Sequence, residues 1–435
     1  MLKGRAGVRL QQLVRWLEAF KPCFGHRAQI VSLRRYVQGV LSDSRRKSMA
    51  AMLERVTDPG GYQAFQHFIT SAPWDAERVW ARLRQLIPDR RGVVIVDGTS
   101  FPKQGTHSVG VTRQYCGTPG KIANCQVAVT AALWTGTRAW FLGALLYLPL
   151  SWLTVGARTE ARIPAAVAFQ EKWRLALTLL RRIRAAGFQI TAVLADAEFG
   201  DNSRFRAFLH RAKLPYAVGI SSTLTVFPGT PVLRPLTGPR HGPGHARPRL
   251  PPGMQAIAVA TLAATVPARQ WRRIRWRNGD GRPWEADFTT LRVTPATEWR
   301  RYTLAPEVWL LCERRGVTTP EFKYYLVHLP VTATLRALVR LAHQRWAIER
   351  QYEDLKDELG LDHFEGRSYP GWQHHVVLTA VAYNFLQTLR RGADRQLTFP
   401  AVHAIVQEVF TLYLFAQRPH YLAQMDRLRD LQLRI

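Results

Sequence analysis

Two short apolar runs, each closed by an aspartate, constrain the fold of this chain more than any other feature. They are GVVIVDGT (92–99) and ITAVLAD (190–196). Runs of this length that are rich in β-branched residues are typical of buried strands in the middle of a sheet. We therefore expect Asp97 and Asp196 at the carboxyl ends of two strands, where open sheets carry active residues. A structural cap at a strand end is the alternative for each aspartate taken alone.

The segments around these runs complete an alternation of strands and helices. NCQVAVTAALW (124–134) and RAWFLGALLYLP (138–149) predict two further strands. An amphipathic helix is expected at about 160–186, and a second helix over 201–214 leads into a fifth strand, PYAVGIS (215–221). The order β-β-β-α-β-α-β predicts an α/β protein with a mixed sheet flanked by helices.

The composition and the spacing of apolar residues change along the chain and divide it into five parts. Residues 1–88 predict a small helical domain, because apolar residues recur there three to four positions apart. Residues 222–320 predict a β-rich insertion that starts with a loop rich in Pro, Gly and Arg. The remaining parts are the first and second portions of the α/β core and a C-terminal helical region, at 89–221, 321–398 and 399–435.

The charge balance favours nucleic acid as the partner. The chain has 61 Lys and Arg against 31 Asp and Glu, a formal net charge of +30. A surplus of this size attracts polyanions, and arginine binds phosphate through two parallel hydrogen bonds. The helical domain contributes a basic set that predicts contact with DNA ends, although packing or dimerisation would also explain that domain: Arg34, Arg35, Arg45, Arg46 and Lys47.

A second basic feature lies in the insertion. WRRIRWRNGDGRPWEADFTTLRV (271–293) predicts a hairpin that turns at 278–281. Alternation along its first strand places Arg273, Arg275 and Arg277 on one face, an arrangement that suits a phosphate backbone. The alternative is an ordinary solvated face of the β-layer.

Cysteine usage and hydropathy exclude several classes. The four cysteines are scattered with no CxxC pair, which excludes a zinc knuckle and a disulfide framework and favours a reducing, cytoplasmic location. The most apolar stretch (127–150) is interrupted by TGTR at 135–138, so we expect two buried strands there and no membrane segment.

A helix near the C-terminus carries the third candidate acid. HQRWAIERQYEDLKDELG (343–360) has no Gly or Pro before its last residue, which predicts a helix over 343–359. Helical spacing aligns four of its residues on one face: Arg345, Glu349, Tyr352 and Lys356. A salt-bridged surface helix is one interpretation. A helix that holds one acid for a metal ion and two cations for a phosphate is the other.

Asp97, Asp196 and Glu349 together form a candidate metal triad. Carboxylate oxygens are the ligands that Mg²⁺ prefers, and the ion keeps positions open for water and phosphate. Two such ions would activate an attacking oxygen and stabilise a leaving one in phosphoryl transfer. Arg345 and Lys356 flank Glu349, where they would hold the phosphate.

Four ordered blocks resemble the signature of bacterial insertion-sequence transposases of the DDE superfamily. The blocks are DGTSFPKQG (97–105), SVGVTRQYCGTPGKIANCQVAV (108–129), LADAEFG (194–200) and RWAIERQYEDLKDELGLDHFEGRSYPGWQHH (345–375). That group carries its third acid in a Tyr-x2-Arg-x3-Glu-x6-Lys pattern. Arg345, Glu349 and Lys356 match the pattern, whereas Ala342 stands at the Tyr position. The resemblance implies that this Tyr contacts a phosphate at the element end, and Tyr352, on the same face, is the candidate substitute for that contact.

The resemblance implies an RNase H-like core split by a β-rich insertion, with Asp97, Asp196 and Glu349 as its metal-binding acids. It implies an enzyme that uses Mg²⁺ (Mn²⁺ being possible) to cleave double-stranded DNA at the element ends. It would join the 3′-hydroxyls to target DNA, as a dimer or larger assembly on bacterial nucleoid DNA. An RNase H-like nuclease that never joins strands and a catalytically silent, domesticated DNA-binding protein are the alternatives.

Overall fold

The first part of the chain is helical in the computed structural model, which describes residues 5–117, 120–234, 249–277, 283–297, 303–316, 319–392 and 397–418. Its helices are α1 (Arg5–Glu18), α2 (Arg27–Leu41), α3 (Met49–Glu54), α4 (Tyr62–Thr70) and α5 (Ala76–Leu86). Two of them begin at capping side chains. The Ser48 hydroxyl accepts from the Ala51 amide at 3.3 Å, and the Asp75 carboxylate accepts from the Glu77 amide at 2.8 Å.

A second group of helices follows along the rest of the chain. They are α6 (Val155–Ala161), α7 (Lys172–Ala185), α8 (Ala197–Gly200), α9 (Ser203–Arg211), α10 (Val259–Ala264), α11 (Leu335–His343), α12 (Trp346–Glu353), α13 (Tyr369–Gly392) and α14 (Phe399–Gln417). The single helix expected at about 160–186 is wrong in its first half. Helix α6 ends at Arg162, which adopts a left-handed conformation, and Pro164 follows before α7 starts.

The N-terminal helices do not have a core of their own. Their buried side chains share one hydrophobic cluster with α13, α14 and part of the sheet. His374 on α13 stacks on Trp74 at 3.6 Å between ring centroids, and its ring nitrogens lie 2.7 Å from the Ile69 carbonyl and 2.9 Å from the Trp74 carbonyl. The helical region is therefore fixed to the rest of the molecule by buried contacts.

One mixed sheet runs through the molecule. Its strands are β1 (Arg91–Pro102), β2 (Thr112–Cys116), β3 (Lys121–Trp134), β4 (Ala139–Leu146), β5 (Gln189–Ala195), β6 (Tyr216–Ile220), β7 (Thr225–Pro228), β8 (Ile257–Ala258), β9 (Arg272–Arg277), β10 (Pro283–Pro295), β11 (Val308–Arg315) and β12 (Glu321–His328). The five strands expected before residue 222 are present as β1, β3, β4, β5 and β6. The short strand β2 is an addition that the sequence pattern did not indicate.

The pairing of these strands places β1 in the centre. β3 pairs with β1 and with β4 in antiparallel fashion, whereas β5 is parallel to both β1 and β6. The order across this part of the sheet is therefore β4-β3-β1-β5-β6. Val94, Ile95 and Val96 of β1 are completely buried, as expected of a central strand covered on both faces.

The inserted segment extends this same sheet. β12 pairs with β6, and β11 and β10 follow outward, so the strands of the insertion continue the core sheet from its β6 edge. The predicted hairpin is present, since β9 pairs with β10 in antiparallel register. Its turn at residues 278–281 lies outside the described residues.

Candidate active site

Asp97 and Asp196 lie side by side because β1 and β5 are parallel and in register. Ile95 of β1 pairs with Leu194 of β5. Asp97 lies two residues after Ile95, and Asp196 lies two residues after Leu194. Asp196 comes directly after β5 and caps α8 through its Oδ1, which accepts from the Glu198 amide at 3.1 Å. The sequence pattern predicted the two acids at strand ends, but not that their strands would be neighbours in the sheet.

The position of Asp97 within its strand corrects one detail. We expected Asp97 to end the first strand, but β1 continues to Pro102. The reason is that β5 stops at Ala195, while β3 pairs with β1 as far as Pro102 opposite Cys125. The carboxylate therefore projects at the point where β1 has lost its parallel neighbour.

Burial strongly affects both carboxyl groups. The Asp97 side chain is 10% exposed, and its Oδ1 accepts from the Gly98 amide at 2.9 Å. Burial raises the pKa of Asp97 to about 7; the Arg345 charge opposes this shift, and the nearby Asp196 adds to it. Burial likewise raises the pKa of Asp196, again against the effect of Arg345.

The predicted helix over 343–359 is interrupted, contrary to expectation. Helix α11 ends at His343 and α12 starts at Trp346, with a turn at residues 344–345. Trp346 packs edge-on against Trp134 of β3, with 5.4 Å between ring centroids, which anchors the start of α12 on the sheet. After α12 the chain continues as a π-helical segment, Asp354–Glu358. Tertiary contacts of this kind leave no trace in helical periodicity.

The four residues predicted to share one face approach the aspartates despite this break. Arg345 Nη1 donates to Asp97 Oδ2 at 3.1 Å, and Nη2 donates to the Glu349 carboxylate. The remaining two residues of that face contact the sheet beside Asp97. The Tyr352 hydroxyl lies 2.6 Å from Thr130 Oγ1, and Lys356 Nζ donates to the Ser100 carbonyl at 3.0 Å.

The arrangement is not a preformed metal cage. Among the described residues, no three His, Cys, Asp or Glu side chains lie close enough together to hold a metal ion. Asp97 and Asp196 offer the oxygen donors that a hard divalent cation takes. Glu349, which is 57% exposed, is instead paired with Arg345. The donor chemistry thus fits Mg²⁺, while the position of Arg345 keeps the third acid apart.

A further acid and a further cation complete the surroundings. Glu198 extends towards β1, since a Cβ placed on Gly98 would lie 3.4 Å from Glu198 Oε2. Lys172 of α7 pairs with the other oxygen of Glu198 at 2.5 Å. The spacing of Asp196 and Glu198 was a visible signal in the sequence. No sequence signal indicated Lys172, because only the packing of α7 against the sheet brings this residue to Glu198.

The arginine-rich strand of the insertion is exposed but paired. Arg273 Nε contacts Asp287 at 3.0 Å, and Arg275 Nε contacts Glu285 at 2.8 Å, both across the β9–β10 hairpin. The side chain of Arg277 lies outside the described residues. The alternation of side chains along β9 predicted one face of arginines, and the same alternation along β10 places their acidic partners opposite them.

The basic residues of the N-terminal helices are partly engaged as well. Arg34 pairs with Glu18, and Arg46 pairs with Glu365. Lys47 is buried and donates to the Ser42 carbonyl at 2.6 Å, and burial lowers its pKa to about 8. Lys47 therefore has a structural role in the described contacts.

Helix α14 is, by length and composition, apolar enough to cross a membrane, with a mean hydropathy of 1.4 and 33% of its most apolar window buried. Its contacts are those of a core helix. Val402 and Val406 are buried, and the ring of His403 lies 2.7 Å from the Glu358 carboxylate. A single helix of this kind is weak evidence for a membrane segment, and we had expected none.

Comparison with known proteins agrees with this geometry. Residues 19–283, more than half of the chain, match the family described as DDE superfamily endonuclease. This range includes Asp97 and Asp196 and ends before Glu349. The chain is also 29% identical over 189 residues to the probable transposase for insertion sequence element IS701 of Microchaete diplosiphon. That similarity covers 42% of this chain and 47% of the relative, so the chain spans about half the length of the curated relative that it matches. Because the family match extends over most of the chain and includes the paired aspartates, the protein belongs to the DDE superfamily endonucleases.

Proposed function

We propose that this protein is the transposase of an insertion sequence, which cleaves DNA at the element ends and joins the 3′-hydroxyl ends to target DNA. The observation that carries the proposal is the register-matched pair Asp97 and Asp196, with the Arg345–Glu349 pair placed over it. The named function of the IS701 relative supports the transposase assignment over a general nuclease.

The core that we propose is RNase H-like. The strand order β4-β3-β1-β5-β6 supports this assignment, with three antiparallel strands followed by two strands parallel to the central one. The first acid then lies on the central strand, the second after its parallel neighbour and the third on a helix that crosses them. In this fold the insertion is an extension of the sheet beyond β6.

Each candidate side chain has a role in the proposed reaction. Asp97, Asp196 and Glu349 would hold Mg²⁺, with Mn²⁺ as a substitute, after Glu349 turns from Arg345 towards the aspartates. The bound ions would supply activation of the attacking oxygen and stabilisation of the leaving one. Arg345 and Lys356 would bind the phosphate. Tyr352 would contact it as well, after its hydroxyl leaves Thr130.

The proposed partner is double-stranded DNA, bound by a dimer or larger assembly on the bacterial nucleoid. The net charge of +30 supports this partner. The exposed β9 arginines, Arg273, Arg275 and Arg277, would follow the DNA backbone from the extended edge of the sheet. Their acidic neighbours on β10 would keep them oriented until a phosphate approaches.

The test uses purified protein and labelled DNA that carries the ends of the element. We expect cleavage at the element boundary and joined products in Mg²⁺, and neither in EDTA. Glu349→Gln and Asp97→Asn should each lower the cleavage rate at least about 100-fold and leave DNA binding within about twofold. Glu353→Gln is the matched control, because Glu353 lies one turn further along the same helix and pairs with Arg350 at 2.9 Å.

The results separate the candidate functions. Cleavage without joined products would replace the transposase by a nuclease. Binding without cleavage in either metal would indicate a catalytically silent DNA-binding protein. Normal cleavage by Glu349→Gln would remove Glu349 from the triad.

A further inference from the structure

The guanidinium of Arg345 lies between two of the three candidate metal ligands, Asp97 and Glu349. It donates to Asp97 at 3.1 Å through one nitrogen and to Glu349 through the other. Its charge also acts through space on Asp196. A single side chain thus interacts with all three acids.

The negative charges of Asp196 and Glu349 both act on Asp97. If all three are ionised, the cluster of Asp97, Asp196, Glu349 and Arg345 carries a net charge of −2. Like charges that share a site repel, and a bound cation relieves the repulsion. Among the described residues, Arg345 contacts two of these carboxylates, Asp97 and Glu349, through directional hydrogen bonds that a spherical ion does not need.

The side chains of Arg345 and Glu349 both reach solvent. Arg345 lies in the turn between α11 and α12, and its side chain is 29% exposed. Glu349 is 57% exposed and forms an ion pair with Arg345. Glu349 is largely exposed, whereas Arg345 has to leave a mostly buried position beside Asp97 in order to change partners. A phosphate oxygen that enters from solvent can therefore replace the carboxylates as the acceptor for the guanidinium.

We infer that Arg345 is a built-in substitute for the metal ion, and that a DNA phosphate must draw Arg345 off Asp97 and Glu349 before a divalent cation binds tightly. This inference rests on the proposed function, since it takes DNA and a divalent cation as the ligands. It also states the sequence in which the ligands bind to the site. DNA binds first through Arg345, and Glu349, once released, completes the metal site.

The inference has a thermodynamic consequence. If DNA raises the affinity for the metal by removing Arg345, the metal raises the affinity for DNA by the same factor. Free protein should then bind the metal weakly, which limits cleavage away from bound DNA. The residue responsible for the coupling would be Arg345, acting as a positioning residue.

The test measures Mn²⁺ binding to the full chain by the loss of the electron paramagnetic resonance signal of free Mn²⁺, without DNA and without turnover. Arg345→Gln should bind Mn²⁺ about tenfold more tightly than the wild type, within the usual range of coupling between sites. Arg345→Lys retains the charge and should stay close to the wild type. Arg174→Gln is the control, because Arg174 makes an exposed pair with Glu171 at 3.2 Å.

Two further samples test where Mn²⁺ binds and whether DNA binding strengthens it. The double variant Asp97→Asn/Arg345→Gln should lose the gain, which would assign the Mn²⁺ to the aspartate site. Adding a short DNA duplex, corrected for the Mn²⁺ that the duplex binds alone, should tighten binding to the wild type and change Arg345→Gln little. Circular dichroism checks that each variant is folded.

The outcomes distinguish this inference from the proposed function. Equal or weaker Mn²⁺ binding by folded Arg345→Gln would overturn the inference. If that binding is lost in the double variant, the proposed metal site still stands. A gain that survives in the double variant would also overturn it. If no sample binds Mn²⁺, with or without DNA, both the inference and the metal-dependent function fail.

Discussion

Asp354, a buried acid outside the candidate active site, offers a sharp test of the electrostatics of the π-helical segment. Its side chain is 7% exposed, and among the described residues Arg350 pairs with it, with its Nε 3.7 Å away. Burial raises the pKa of Asp354 from 3.8 to about 7, against the opposing effect of Arg350. The ionised carboxylate is therefore unfavourable in the folded protein, and Asp354→Asn should remove this cost.

The magnitude follows from the two pKa values. Folding takes up a proton between pH 3.8, where the unfolded carboxyl titrates, and about 7, where the folded one does. Above pH 7 the full shift applies, and about three units correspond to roughly 4 kcal/mol as an upper limit. At pH 5 the folded group is protonated, and the remaining cost is only about 2 kcal/mol. The stabilisation by Asp354→Asn should therefore be about 2 to 3 kcal/mol larger at pH 8 than at pH 5.

Urea unfolding of both proteins at pH 5, 6.5 and 8, followed by circular dichroism, measures this difference. Asp357→Asn is the matched control, because Asp357 lies in the same segment and is exposed. Its effect should be small at every pH. A gain for Asp354→Asn that is the same at all three pH values, or larger at pH 5, would refute ionisation of a buried carboxylate as the cause.

Two other predictions concern the support of the site and its contact with DNA. Gly200→Ala should lower the free energy of unfolding by about 3 kcal/mol or more, because the new Cβ would lie 1.8 Å from the Gly219 carbonyl oxygen. The control is Gly156→Ala, which should change the free energy of unfolding little because a Cβ there has no neighbour within 4 Å. Thermal melts compare the two variants. If α8 packs loosely on β6, the two variants will melt alike. Arg275→Gln should reduce the slope of log affinity for DNA against log salt by about one, if Arg275 binds a phosphate. An unchanged slope would mean that Arg275 serves only its pair with Glu285.

Local sequence patterns predicted the strands and the two aspartates for a clear physical reason. A β-branched run such as 92–97 excludes most alternatives to a buried strand, and an acid inside it marks a special position. Parallel pairing then brings acids at equivalent positions together. The face shared by Arg345 and Glu349 was likewise predictable, because an i, i+4 pair survives a helix break that precedes it.

Other features could not be predicted because they depend on partners distant in sequence. The turn at Arg345 accompanies the packing of Trp346 on Trp134, which lies more than two hundred residues earlier in the chain. Lys172 reaches Glu198 only through the docking of α7 on the sheet. The insertion was expected to be β-rich, yet its pairing with β6 through β12 depends on edge contacts that periodicity does not encode.

The sequence by itself therefore determined which groups this protein has for its chemistry: two strand-borne aspartates, a helical glutamate with an arginine four residues before it, and a large positive charge. Side-chain type and local spacing are enough for that, since they are properties of neighbouring residues. Only the tertiary structure decided how these groups face one another. It placed the Arg345 guanidinium among the carboxylates, because burial and Coulomb attraction act through space between residues 248 positions apart.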